Sequence, residues 1–72
     1  MEKHQLKKLA EIGDKIKFIN NKKCNLTFDK TYEVLESYFS QIRQDYKVVI
    51  KDDFGSLQTI YSLSFKDNFK KL

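Results

Sequence analysis

The amino-acid sequence predicts a mainly β or α+β fold, and three stretches carry that prediction. Asp14-Lys15-Ile16-Lys17-Phe18-Ile19 alternates polar and apolar residues, the period of a strand with one buried face. Tyr46-Lys47-Val48-Val49-Ile50-Lys51 is rich in β-branched residues and is bounded by turn formers. Leu57–Leu63 follows the turn Asp52-Asp53-Phe54-Gly55 and reads as the returning strand of a hairpin, with Gly55 able to take a positive φ.

The chain has 72 residues, enough for one domain over 1–72 with a small core. Residues 1–13 read as a helical N-terminal extension. Leu6, Leu9 and Ala10 fall at i, i+3 and i+4 within 2–12, and Gly13 sits where a left-handed C-cap is expected. So short a helix persists only if Leu6 and Leu9 dock on the rest of the chain. In the first strand Ile16 and Phe18 point inward, and Asn20-Asn21-Lys22-Lys23 ends it with turn-forming residues.

Residues 30–43 admit two readings. As a helix, Tyr32, Leu35, Phe39 and Ile42 form an apolar stripe behind Asp29 as N-cap. As a strand, Thr31-Tyr32-Glu33-Val34 alternates and is rich in strand formers, with Tyr32 and Val34 on one face. Periodicity favours the helix and propensity the strand.

The order KIKFINN, CNLTFDKTYEVLES, YKVVIKDDFGSLQTIYSLSF and KDNF resembles small phage and prophage proteins of the Src-homology-3-like barrel type, over about residues 15–69. In that pattern LTFDKTYEVL is similar to the diverging turn, where a polar tight turn launches the next strand. The resemblance decides for a strand. It implies a five-stranded barrel over 14–72, with the α-β-α-β-β layout, a helix at about 30–43, as the alternative. Two departures stand out: Asp29 occupies a position where glycine is usual, and SYFSQIRQD lengthens the following loop. Aspartate visits the left-handed region more readily than most residues. The expected core is Ile16, Phe18, Leu26, Tyr32, Val34, Val48, Ile50, Leu57 and Leu63, with Phe65 and Phe69 closing the end.

The residue inventory argues against an enzyme. His4 is the one histidine and Cys24 the one thiol, and nothing near Cys24 in sequence supplies a base held by a third group. No catalytic residue, metal site or cofactor is expected. The Asp52-Asp53 pair lacks the spacing of a calcium loop, and Gly13 and Gly55 cannot build a phosphate-binding loop. One cysteine makes no internal disulfide, no apolar run is long enough to span a membrane, and MEKHQLKKLAEIG has no signal-peptide core. A soluble cytoplasmic protein is expected, in the host cytoplasm if the chain is phage-encoded.

Binding is where the sequence leaves room. The first expectation is a non-catalytic module that recognises a host or phage protein through exposed aromatics, with Tyr38, Phe39, Tyr46, Phe54 and Tyr61 as candidates. Proline-rich peptide recognition is not implied, because the groove tryptophan and the Pro-Ser-x-Tyr end of that family are missing. The second expectation is nucleic acid. The net charge of +4 resides in residues 1–23, and residues 24–72 are neutral. Lys15 and Lys17 on the outer face of the first strand, extended by Lys22 and Lys23, are the candidates. The third is a homodimer, formed through the first helix or the uncovered edge of strand 57–63.

Overall fold

In the computed structural model, which describes residues 8–21 and 24–72, the chain forms two three-stranded antiparallel sheets and one short helix. The strands are β1 (Lys15–Phe18), β2 (Thr31–Glu33), β3 (Glu36–Ser40), β4 (Asp45–Lys51), β5 (Leu57–Tyr61) and β6 (Phe69–Lys71), with the helix α1 (Ser62–Asn68) between the last two. One sheet has the order β2-β1-β6 and the other β3-β4-β5. The two sheets do not close into a barrel; α1 carries the chain from the end of one to the other.

Residues 31–40 form two strands, β2 and β3, joined at Val34-Leu35, and the helical alternative is excluded. A helix would bury the stripe that includes Leu35 and Ile42, yet both are exposed, Ile42 at 94%. Burying Tyr32 and Val34, two positions apart, requires the extended chain instead. At the preceding corner Asp29 has φ +70° and its N–H donates to the Phe18 carbonyl at 2.6 Å. At Val34-Leu35 the strand passes from one sheet to the other. The Val34 N–H bonds the Asp14 carbonyl (2.9 Å) and the Leu35 N–H the Val49 carbonyl (2.8 Å).

The core lies between the sheets and holds Ala10, Ile16, Phe18, Tyr32, Val34, Val48, Ile50, Ile60 and Phe69, with Leu9, Leu26 and Phe65 packed against it. Two expected members are absent. Leu57 is 62% exposed and Leu63 70%. β5 presents Gln58 and Ile60 inward in register with Ile50 and Val48, so the odd-numbered positions face out. An inside–outside assignment displaced by one residue reverses every side chain of a strand. The strand also stops at Tyr61 instead of Leu63, because Asp45 accepts from both the Ser62 N–H (3.3 Å) and its hydroxyl (2.7 Å). The chain then turns into α1, which the alternating Ser62-Leu63-Ser64-Phe65 pattern conceals. Phe65 stacks on Phe69 at 6.0 Å between ring centroids, and Phe69 packs on Phe18 at 5.3 Å.

The expected helix over 2–12 is corrected in its described part: residues 8–13 form a bend and a turn, while residues 2–7 lie outside the described residues. Gly13 does take the positive φ, +94°, but within a turn closed by Glu11 and Asp14. The Glu11 N–H donates to the Asp14 carboxylate (2.8 Å), which is the main reason this carboxyl is held below its ordinary pKa. Leu9 packs against the core as expected and Ala10 is buried in it, with the Ala10 carbonyl accepting from the Ser37 hydroxyl and the Gly13 N–H donating to Val34.

Candidate functional site

The outer face of the β3-β4-β5 sheet brings together the most distinctive exposed side chains. Alternation along β4 sends Val48 and Ile50 to the core and Lys47, Val49 and Lys51 to the other side. The register then places Tyr38, Lys47 and Tyr61 in one row across the three strands. The Lys47 ammonium lies 4.5 Å from the Tyr38 ring centroid and 5.6 Å from that of Tyr61, and the Arg43 guanidinium covers Tyr61 from the β3–β4 turn at 4.4 Å. These are cation–π distances. The Tyr38 hydroxyl beside Lys47 is the main cause of a raised ammonium pKa, so the charge is retained. Val49, in the next row with Glu36 and Thr59, is buried. The result is two tyrosines and two cations on a sheet scaffold.

The five aromatic candidates therefore separate. Tyr38 and Tyr61 share this face. Phe39 and Tyr46 lie directly opposite each other on the inner side of the same sheet and pack edge to face at 5.1 Å, half-buried. Phe54 stands alone at the β4–β5 hairpin, 76% exposed. Lys47 and Arg43 were not singled out in the sequence. Lys47 was legible as an outward position once Val48 and Ile50 are assigned inward; Arg43 reaches Tyr61 only through the turn geometry.

Of the cationic candidates, Lys15 and Lys17 do occupy the outer face of β1, opposite the buried Ile16 and Phe18. Lys17 is paired with Asp29 at 3.4 Å, and Lys15 lies across from Glu33. Lys70 on β6 lies directly across from Lys17. Lys22, Lys23 and His4 lie outside the described residues.

The Asp52-Asp53 pair joins two loops. Asp52, 6% exposed, accepts the N–H groups of Phe54 and Ser56 (both 2.9 Å) and the side-chain amides of Asn25 (3.2 Å) and Gln58 (2.8 Å). Asp53 accepts from Thr27 Oγ1 (2.5 Å), Lys30 Nζ (2.8 Å) and the Tyr32 hydroxyl (2.8 Å). The Lys30 hydrogen bond, followed by those from Thr27 and Tyr32, pulls the Asp53 carboxyl down to about 2. These carboxylates are committed to the fold, and among the described residues no cluster of three metal-ligating groups occurs.

A cleft of about 360 Å³ opens where the sheets fail to join, lined by Phe18, Ile60 and Phe69 and flanked by β5, the 24–26 segment and α1. Cys24, exposed, is part of its lining. No helix among the described residues is long and apolar enough to cross a membrane. Comparison with protein-family models, with curated proteins and with solved structures matches nothing to this chain.

Proposed function

We propose that the chain is a non-catalytic binding module of Src-homology-3-like architecture that acts by protein–protein interaction through the outer face of β3-β4-β5. The observation that carries this reading is the Tyr38–Lys47–Tyr61 row with Arg43 over its end. Tyrosine and arginine dominate binding hot spots because they offer large contact area with polar ends, and a sheet holds them in place without further ordering. The architecture is supported by the strand order, in which β2 and β3, taken as one bent strand, link the two sheets. By the resemblance in its sequence, the protein serves as a phage or prophage accessory protein in the host cytoplasm, and its partner is a host or phage protein.

The test is affinity capture with the intact protein and with the double variant Tyr38→Ala/Tyr61→Ala, each checked for an unchanged melting temperature. The reading expects one captured protein that is lost with the double variant and retained with Lys15→Glu/Lys17→Glu. Capture unaffected by the tyrosine pair overturns it. A second reading, nucleic-acid binding by the outer face of β1, draws support from Lys70 lying opposite Lys17. It expects Lys15→Glu/Lys17→Glu to abolish a salt-dependent shift of amide resonances on adding mixed DNA and RNA oligonucleotides.

A further inference from the structure

We propose that the cleft between the two sheets is a second binding site, which takes an uncharged extended peptide segment by strand addition to the free edge of β5. The site is separate from the tyrosine–cation face and stands or falls independently of it.

The first observation is which residues line the cleft. Gln58, Thr59 and Ile60 are consecutive, and so are Cys24, Asn25 and Leu26 facing them. A sheet face would contribute alternate residues, so β5 meets the cleft with its edge. Among the described residues, β5 pairs only with β4, which leaves one edge without a neighbouring strand. The strand LQTIY has no charge, proline or bulge of the kind that blunts exposed edges. An edge of this type is complementary to the backbone of another extended segment.

Polar chemistry on the rim points the same way. Asp52 is a carboxylate with a lowered pKa, mainly through its hydrogen bond from Gln58, and a carboxylate only accepts. Asn25 and Gln58 must therefore turn their NH₂ groups toward it, as observed. Among the described residues no donor engages the Oδ1 of Asn25 or the Oε1 of Gln58. Both residues line the cleft, so the acceptors they offer suit a ligand rich in N–H donors. Phe18, Leu26, Ile60 and Phe69 supply an apolar floor for one inserted side chain. The described lining carries no charged group, which disfavours phosphate-bearing ligands.

The probe is an acetylated and amidated five-residue peptide of valine, leucine and threonine, added to ¹⁵N-labelled protein. The expected result is movement of the Gln58–Ile60 and Cys24–Leu26 amide resonances, unchanged by Tyr38→Ala. Cys24 serves as an independent reporter: with peptide at about ten times its Kd, the free fraction is about one in eleven, so alkylation of the thiol slows about tenfold. Ser64→Tyr, an exposed helix position on the cleft, should abolish both effects. If that variant fails to fold, the exposed Thr59→Lys should abolish them by placing a charge on the edge. Alternate N-methylation of the peptide, which removes the N–H groups needed for pairing, should also abolish them. Overturning results are no shift or protection at about 1 mM peptide, equal binding of the N-methylated peptide, shifts confined to Tyr38, Lys47 and Tyr61, or the same shifts on concentrating the protein without peptide, which would make the occupant a second copy.

Discussion

Replacing Tyr32 by phenylalanine isolates the contact that ties the 25–30 corner to the β4–β5 hairpin. The ring stays buried against the core and the apolar contacts persist. What is lost is one hydroxyl, which accepts the Thr27 N–H at 2.7 Å and donates to Asp53 at 2.8 Å. A hydrogen bond to a charged acceptor contributes about 1.5–3 kcal/mol, and a deprived backbone donor costs about 1–3 kcal/mol when no water replaces the partner. The site is only part-buried, so water recovers much of the second loss, and a net cost of about 2 kcal/mol is expected. For a domain of this size total stability is about 4–11 kcal/mol, and the change corresponds to a fall of about 8–16 °C in Tm. Urea denaturation and thermal circular dichroism of Tyr32→Phe, Asp53→Asn and the double variant measure it. Because the two residues share a bond, the cycle should show a coupling of about 1 kcal/mol or more. A single-variant cost below about 0.5 kcal/mol, or strictly additive effects, would refute the idea that this hydroxyl locks the corner.

Acid should act through the same network. Asp53, held at about 2 chiefly by Lys30, contributes stability that is complete above its unfolded pKa, about 3.9, and is lost as pH falls through about 2. Asp52 and Asp14 are depressed too and act with the same sign. Tm should therefore stay level from neutral pH down to about 5 and fall between about 4 and 2, less steeply in Asp53→Asn, as a pH series of melts will show. Phe18→Ala, which removes a fully buried ring from contact with Phe69, should cost about 3–5 kcal/mol in urea denaturation. Gly55→Ala meets no atom within 4 Å, but at φ +85° it should cost about 1–2 kcal/mol in urea denaturation, with the fold unchanged.

Much of the architecture was legible wherever one local pattern had a single outcome. Ile16 and Phe18, Tyr32 and Val34, and Val48 and Ile50 each alternate within a short β-rich run, and each pair is buried as the pattern requires. Asp29 and Gly55 mark corners because few other residues tolerate a positive φ. The tyrosine–cation face was only half legible, since Tyr38 and Tyr61 were visible as excess aromatics but their meeting at Lys47 depends on the register of three strands. Cys24–Leu26 and Gln58–Ile60, brought together at the cleft, are more than thirty residues apart, and no local signal links them.

By itself the sequence determined a small β-rich chain, the inward faces of β1, β2 and β4, and the positions of two tight turns. Those features follow from side-chain alternation and backbone sterics, which act over a few residues. Tertiary structure alone decided that residues 8–13 are a docked turn, that β5 turns Gln58 and Ile60 inward and leaves Leu57 exposed, and that Ser62 begins a helix. In each case the deciding partner is distant: Ser37 and Val34 for the turn, Val48 and Ile50 for the β5 register, and Asp45 for Ser62. Burial and hydrogen bonding are settled by the groups that meet in space, and those pairings carry no trace in the local pattern.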